Sequence, residues 1–169
     1  MKVFLLGLPG SGKTTLGKKL ANALELPFVD LDKEIEKAEG KPISEIFSEK
    51  KEDYFRQLES RTLKQWCARP DNFVMATGGG APCFFDNMEV INRSGKSMFL
   101  DVPASEIVKR MTRAGVEKRP LLATQGRDGL KDHIEFMRSN RIGFYKLATY
   151  TLSGTGIHVQ DMIAVLGIK

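Results

Sequence analysis

Cysteine and histidine are both scarce in this chain of 169 residues, with two of each. Cys67 and Cys83 lie far apart, with neither a CxxC pair nor zinc-ligand spacing. This excludes a disulfide framework or a structural zinc site as the basis of the fold and leaves two buried or incidental thiols in a reducing compartment. His133 and His158 stand alone and read as surface or helix residues rather than catalysts. No long hydrophobic run occurs. The apolar stretch from Val3 to Leu8 breaks at Gly7, Pro9 and Gly10, too short for a bilayer span or a signal peptide, so a cytoplasmic, membrane-free protein is expected. Runs of five or six basic residues are also missing. Lys and Arg number 26 against 21 Asp and Glu, a net charge of +5, but they are mixed with acids and lack interleaved aromatics. A small phosphorylated ligand is therefore a better partner than nucleic acid. There is no internal repeat, low-complexity tract or linker, and 41% hydrophobic residues suffice for one core, so residues 1–169 read as a single domain.

What is present is an alternation of strands and helices. Val3–Leu6 is a continuous apolar run followed by a glycine-rich segment and a helix, Lys13–Leu24, with Leu16, Leu20, Ala23 and Leu24 at helical spacing. Phe28-Val29 predicts a second strand and Lys33–Ala38 a second helix, ended by Gly40 and Pro42. Ser44 to Cys67 predicts helix in two pieces, because Ser48 to Asp53 is wholly polar. Further strands are expected at Phe73–Ala76, Ser97–Leu100 and Thr149–Leu152. Helices are expected at Phe84–Asn92, Ser105–Met111, Gly129–Tyr145 and Gln160–Leu166, with a long charged loop over Thr112–Asp128. The pattern predicts an α/β fold with a parallel sheet covered on both faces.

Gly7-Leu8-Pro9-Gly10-Ser11-Gly12-Lys13-Thr14 matches GxxxxGK[ST] between a buried strand and an amphipathic helix, the context in which that pattern cradles phosphate. Gly10, Ser11 and Gly12 offer backbone N–H groups, and the helix start beyond them, through Thr15, adds partial positive charge. Lys13 is placed to bridge β- and γ-phosphates and Thr14 to offer a hydroxyl to Mg²⁺. The ligand is then a nucleoside triphosphate. Neither an NKxD tetrapeptide nor an Asp with Gly three residues on occurs, which removes guanine-specific switches, and the length leaves no room for motor or helicase accessory domains. A small phosphotransferase remains.

Three further segments bear on the acceptor. Asp30 and Asp32 end the second strand two residues apart, which on an extended chain points both carboxylates towards the carboxyl edge of the sheet; one carboxylate could organise Mg²⁺ and the other could hold substrate hydroxyls or draw off a proton, with N-capping of the next helix as the alternative role of Asp32. Arg56 and Glu59 lie three apart on a helix and can pair. Gly78-Gly79-Gly80 after a strand weakens packing unless something approaches the backbone closely.

Taken together, GLPGSGKTT, the Asp30–Asp32 pair, FRQLE, ATGGG, RPLL at Arg119–Leu122 and RIGFY at Arg141–Tyr145 resemble the shikimate kinase family along almost the whole chain. The resemblance implies a three-layer αβα sandwich of the P-loop kinase type, a five-stranded parallel sheet in the order 2-3-1-4-5, substrate-binding helices at about 31–62, and a lid at about 112–128. It implies transfer of the ATP γ-phosphate to the 3-hydroxyl of shikimate. Asp32 would then contact the shikimate hydroxyls and orient the nucleophile. Arg56 and Arg141 would clamp its carboxylate, and Gly79 and Gly80 would present N–H groups to it. Asp30 and Thr14 would lie in the magnesium shell, Arg119 would close over the phosphates, and Arg110 would meet the adenine. The loop after the last strand, Ser153-Gly154-Thr155-Gly156, lacks the proline and arginine common in the family. A monomer is expected. The rivals are another sugar-acid kinase of this architecture, such as a gluconate kinase-like enzyme, and a module that only holds ATP.

Overall fold

The computed structural model describes residues 1–114 and 120–168, with side chains over 1–114 and 128–168. The five strands are β1 (Lys2–Leu6), β2 (Phe28–Asp30), β3 (Phe73–Ala76), β4 (Lys96–Asp101) and β5 (Tyr150–Ser153). They form one sheet in the order β2-β3-β1-β4-β5, parallel at every pairing, as expected. β1 is central, and Val3, Phe4, Leu5 and Leu6 are all fully buried. That is why this strand reads as an unbroken apolar run, whereas the edge strand β5 alternates.

Successive side chains of β1 feed two cores. Val3 and Leu5 join Leu20, Val74, Met98 and Met162 beneath helices α1 (Lys13–Ala23) and α7 (Val159–Leu166). Phe4 and Leu6 face the larger core of Ile35, Leu63, Phe73, Phe99, Ile107 and Tyr145. The helices over that core are α2 (Leu31–Glu39), α3 (Ile43–Ala68), α4 (Asn87–Ser94), α5 (Ala104–Arg113) and α6 (Pro120–Tyr145). The expected three layers result. Because all strands run the same way, the segments after β1, β2, β3, β4 and β5 emerge at one carboxyl edge, where α/β sheets bind ligands.

Several boundaries differ from the sequence expectation. α2 begins at Leu31 rather than Lys33, because the Asp30 carboxylate accepts from the backbone N–H of Asp32 (3.1 Å) and Lys33 (3.3 Å). The N-cap is therefore Asp30 and not Asp32, and Asp32 sits in a helical turn rather than on an extended chain. α3 does break within its polar stretch, at Lys51 (φ 66°, ψ 176°). The predicted helix from Phe84 starts only at Asn87. A single tight turn at Ala81–Cys83 precedes it, and Phe85 takes φ 52°, which no helix continues through.

The expected loop over Thr112–Asp128 is shorter than predicted, since α5 runs to Arg113 and α6 starts at Pro120. Proline at a helix start lacks only an N–H that no helical bond uses. Gly126 and Gly129 cost about 1 kcal/mol each against alanine, and burial of Leu130, Ile134 and Tyr145 farther along α6 outweighs that cost. Residues 115–119, with Arg119, and the side chains of 120–127 lie outside the described residues.

Candidate active site

The phosphate loop is built on glycines at Gly7, Gly10 and Gly12 with φ of 147°, 82° and 93°, a region costly for residues bearing a Cβ. Its curl ends in α1, which has no side-chain N-cap and no acidic residue in its first turn. The first N–H groups of that helix are left for an anion. A cavity of about 550 Å³ opens over them, lined by Gly10, Gly12, Lys13, Thr14, Thr15, Arg110 and Ile157 among others. Ser11 contributes backbone only. Its hydroxyl is buried without a hydrogen-bond partner, and a methyl group at Gly7 would lie 2.8 Å from it, which places it beneath the loop.

Lys13 Nζ donates to the carbonyls of Gly7 (2.8 Å) and Leu8 (2.9 Å), closing the loop on itself. Burial pushes its pKa down to about 8, with the Asp32 carboxylate opposing the shift. Asp32 shifts upward, first through burial and then through Asp30, with Lys13 holding it back. A lysine and an aspartate are thus held half-desolvated beside each other at the strand ends.

The run Gly78-Gly79-Gly80 explains itself at this point. A methyl group at Gly78 would lie 2.9 Å from Glu59 Oε2 and 3.0 Å from Asp32 Oδ1. One at Gly79 would lie 2.9 Å from Arg141 Nη1 and 3.0 Å from Pro9, and one at Gly80 would lie 2.5 Å from Arg56 Nη1. Each glycine makes room for a charged side chain, and the run brings Asp32, Arg56 and Arg141 to one wall beside the phosphate loop. Arg56 is held by Glu59 (2.8 Å) and Glu52 (3.3 Å) and lies 4.2 Å from the centroid of the Phe84 ring, a cation–π contact. Glu59 is 1% exposed, and burial raises its pKa against the pull of Arg56. This pairing is the one the three-residue spacing predicts.

Sequence reasoning missed the residues that hold these groups. Phe84 stacks on Arg56. Asn87 accepts from Ser60 Oγ (2.6 Å) and donates to the carbonyl of Ala81 (2.8 Å), fixing the turn after the glycines to α3. Tyr145 Oη donates to the carbonyl of Gly79 (2.6 Å). Only Tyr145 carried a signal, as the end of RIGFY. Cys83 lies beside this wall, but burial pushes its pKa up to about 11, so it stays a thiol and not a nucleophile.

At the other flank of the phosphate loop, Arg110 donates from Nη1 to the carbonyl of Ser11 (3.3 Å) and from Nη2 to that of Thr155 (3.0 Å), with Glu106 holding Nε (3.1 Å). It therefore joins the phosphate loop to the loop after β5. Thr14 Oγ1 donates to Asp30 Oδ2 at 3.4 Å, a hydroxyl and a carboxylate of the hard-oxygen type Mg²⁺ takes. No group of three or more His, Cys, Asp and Glu that could hold a metal occurs among the described residues. A separate groove of about 630 Å³, along α3 beside Phe85, shares no residue with the phosphate loop.

A parallel αβα sandwich with a phosphate loop on its central strand and, at the same edge, a wall bearing two guanidinium groups defines a P-loop kinase of a small metabolite. Residues 9–166 match the family model described as shikimate kinase. The chain is 45% identical over 150 residues to a shikimate kinase of Bacteroides fragilis, covering 89% of this chain and 83% of that one. It is 36% identical to a shikimate kinase of Clostridium botulinum, covering 97% and 93%. The crystal structure of the Bacteroides thetaiotaomicron shikimate kinase superposes with TM-score 0.91 at 38% identity, covering 99% of both chains. That of the Acinetobacter baumannii enzyme in complex with shikimate superposes with TM-score 0.82 at 31% identity, covering 98% of this chain and 89% of that one. The chain belongs to the shikimate kinase family, and its activity is that of an ATP-dependent shikimate kinase.

Proposed function

We propose that the two halves of this edge divide the reaction as follows: the phosphate loop holds ATP, and the wall of Asp32, Arg56 and Arg141 holds shikimate with its 3-hydroxyl facing the γ-phosphate. The observation that supports this most is the pair of guanidinium groups over Gly79 and Gly80 beside a carboxylate. A carboxylated polyol needs cationic forks for its acid and an acceptor for its hydroxyls. Gly79 and Gly80 leave the backbone open to the same ligand.

Lys13 exchanges the carbonyls of Gly7 and Leu8 for oxygens of the β- and γ-phosphates, and the N–H groups of Gly10, Ser11, Gly12, Thr14 and Thr15 take the rest. Asp32 accepts from the 3-hydroxyl and orients it; its raised pKa suits it to take the proton as the bond to phosphorus forms. The bond from the γ-phosphorus to the bridging oxygen breaks, leaving ADP. Thr14 and Asp30 would hold Mg²⁺, which supplies neutralisation of the phosphate charge when bound. Arg110, which joins the phosphate loop to the loop after β5, would meet the base of ATP.

The active form in this reading is a monomer. Among the described residues no helix is long and apolar enough to cross a membrane. An ADP-release assay over a panel of hydroxy acids tests the acceptor: shikimate should far outpace gluconate, and the reverse order would end the assignment. In the same assay Arg141→Ala should raise the shikimate KM by about tenfold or more, the cost of losing a charged hydrogen bond, with the ATP KM nearly unchanged. Equal loss of both would make Arg141 structural.

A further inference from the structure

α6 carries Arg141 across the carboxyl end of β1, and it is anchored on both sides of that strand. Four residues past Arg141, Tyr145 donates to the carbonyl of Gly79 after β3 (2.6 Å) and stacks at 4.9 Å on Phe99 of β4. Three residues before it, Arg138 Nη2 donates to both oxygens of Asp101, at 3.0 and 3.2 Å. Asp101 closes β4, and β3 and β4 are the two strands flanking β1. The Arg141 guanidinium thus lies between two anchors of α6, Tyr145 on Gly79 after β3 and on Phe99 of β4, and Arg138 on Asp101 at the end of β4, next to Pro9 of the phosphate loop. Asp101 is engaged twice, since its backbone carbonyl accepts from Gly154 N (3.1 Å) in the loop after β5.

We propose that Arg138 and Asp101 are a positioning pair for the acceptor. They fix the height and rotation of α6 over the phosphate loop, so that Arg141 faces the acid of the bound ring. This rests on the reading of Arg141 given above. Among the described residues neither side chain makes a hydrogen bond or ion pair to Asp32, Arg56 or Arg141. Leu130, Ile134 and Tyr145 also bury α6 against the core, but apolar contacts alone tolerate small sliding and rotation, and displacement of a clamp by a fraction of an ångström is enough to weaken it. The pair joins α6 to the sheet across 37 positions of sequence, unlike the Lys131–Glu135 pair, which lies within α6 and fixes nothing outside it. Arg138 and Asp101 are 36% and 23% exposed, so the contact contributes modestly to folding. Its consequence should appear in acceptor binding before it appears in stability.

Steady-state kinetics of Arg138→Gln, Asp101→Asn, Arg138→Lys and Arg141→Ala, each checked for its unfolding midpoint, test this. Arg138→Gln and Asp101→Asn should each raise the shikimate KM about fivefold, the scale of one partly exposed ion pair, with kcat and the ATP KM within about twofold. Arg138→Lys should recover most of the loss, because a single nitrogen makes the contact. A shikimate KM unchanged in folded Arg138→Gln and Asp101→Asn would overturn the proposal, as would an ATP KM rising in step, which marks general loosening. The isosteric Asp101→Asn carries the test should Arg138→Gln not fold. If Arg141→Ala itself leaves the shikimate KM unmoved, the clamp reading fails. A large effect there, with none at Arg138 or Asp101, sinks only the positioning pair.

Discussion

Single residues in this site are kept at the expense of the fold. Lys13 is the clearest: burial depresses its pKa to about 8 in the ligand-free protein, against 10.4 or so in an unfolded chain. Between those values the unfolded state binds more protons, so this residue makes stability rise with pH. Below about pH 8 its desolvation penalty is fully present. Lys13→Met should therefore be more stable than the native protein at pH 7, by on the order of 1 kcal/mol, or ~2–4 °C at this chain length. The gap should shrink as pH rises through 8 and beyond. Turnover of the same variant should fall by about 10³ or more, because phosphoryl transfer depends on neutralising spread charge. Thermal melts at several pH values and an ADP-release assay check both halves. A variant no more stable than native at pH 7 would mean that the ammonium is better solvated than its position implies.

At the scale of an element, α3 must serve two structures at once. Its second half packs Leu58 and Leu63 into the large core and carries Arg56 and Glu59 to the site. Its first half lies against α2, with Ile46 buried. The two directions are reconciled at Lys51, whose φ of 66° and ψ of 176° fall in a region occupied almost only by glycine. Lys51→Gly should relieve that strain and raise the unfolding midpoint by about 2–4 °C, net of the greater freedom glycine has when unfolded. Because the bend itself is retained, the shikimate KM should stay within about twofold. Lys51→Ala, which keeps the strain, serves as the control, and equal melting of the two variants would show that the conformation costs nothing.

The whole molecule is a sheet with an apolar layer on each face, and β1 contributes to both layers. The two cores share one strand, so neither can unfold alone, and calorimetry should record a single transition. Each ligand that binds only the native state adds RT ln(1 + [L]/Kd), about 2.7 kcal/mol at a hundredfold excess over Kd. MgATP and shikimate should each raise the midpoint by ~5–10 °C at this chain length. Shikimate should lose most of its effect in Arg56→Ala while ATP keeps its own. A shikimate shift surviving that substitution would place the acceptor away from the glycine wall.

The sequence by itself determined the layered α/β fold, the phosphate loop and the Arg56–Glu59 pair, because each is a local regularity. Buried parallel strands need unbroken apolar runs, a phosphate cradle needs glycines before a helix, and a helix brings residues three apart together. α2 starts two residues before its sequence pattern indicates, because a carboxylate can cap a helix or face a ligand and composition does not choose between them. Only the tertiary structure decided that Asp30 takes the cap. It also decided that each glycine of the triplet makes room for a charged partner, and that Phe84, Asn87 and Tyr145 hold Arg56 and the glycine run in place. Those contacts join residues that lie far apart in the chain or give no periodic signal. They exist because a parallel sheet delivers every strand end to the same edge.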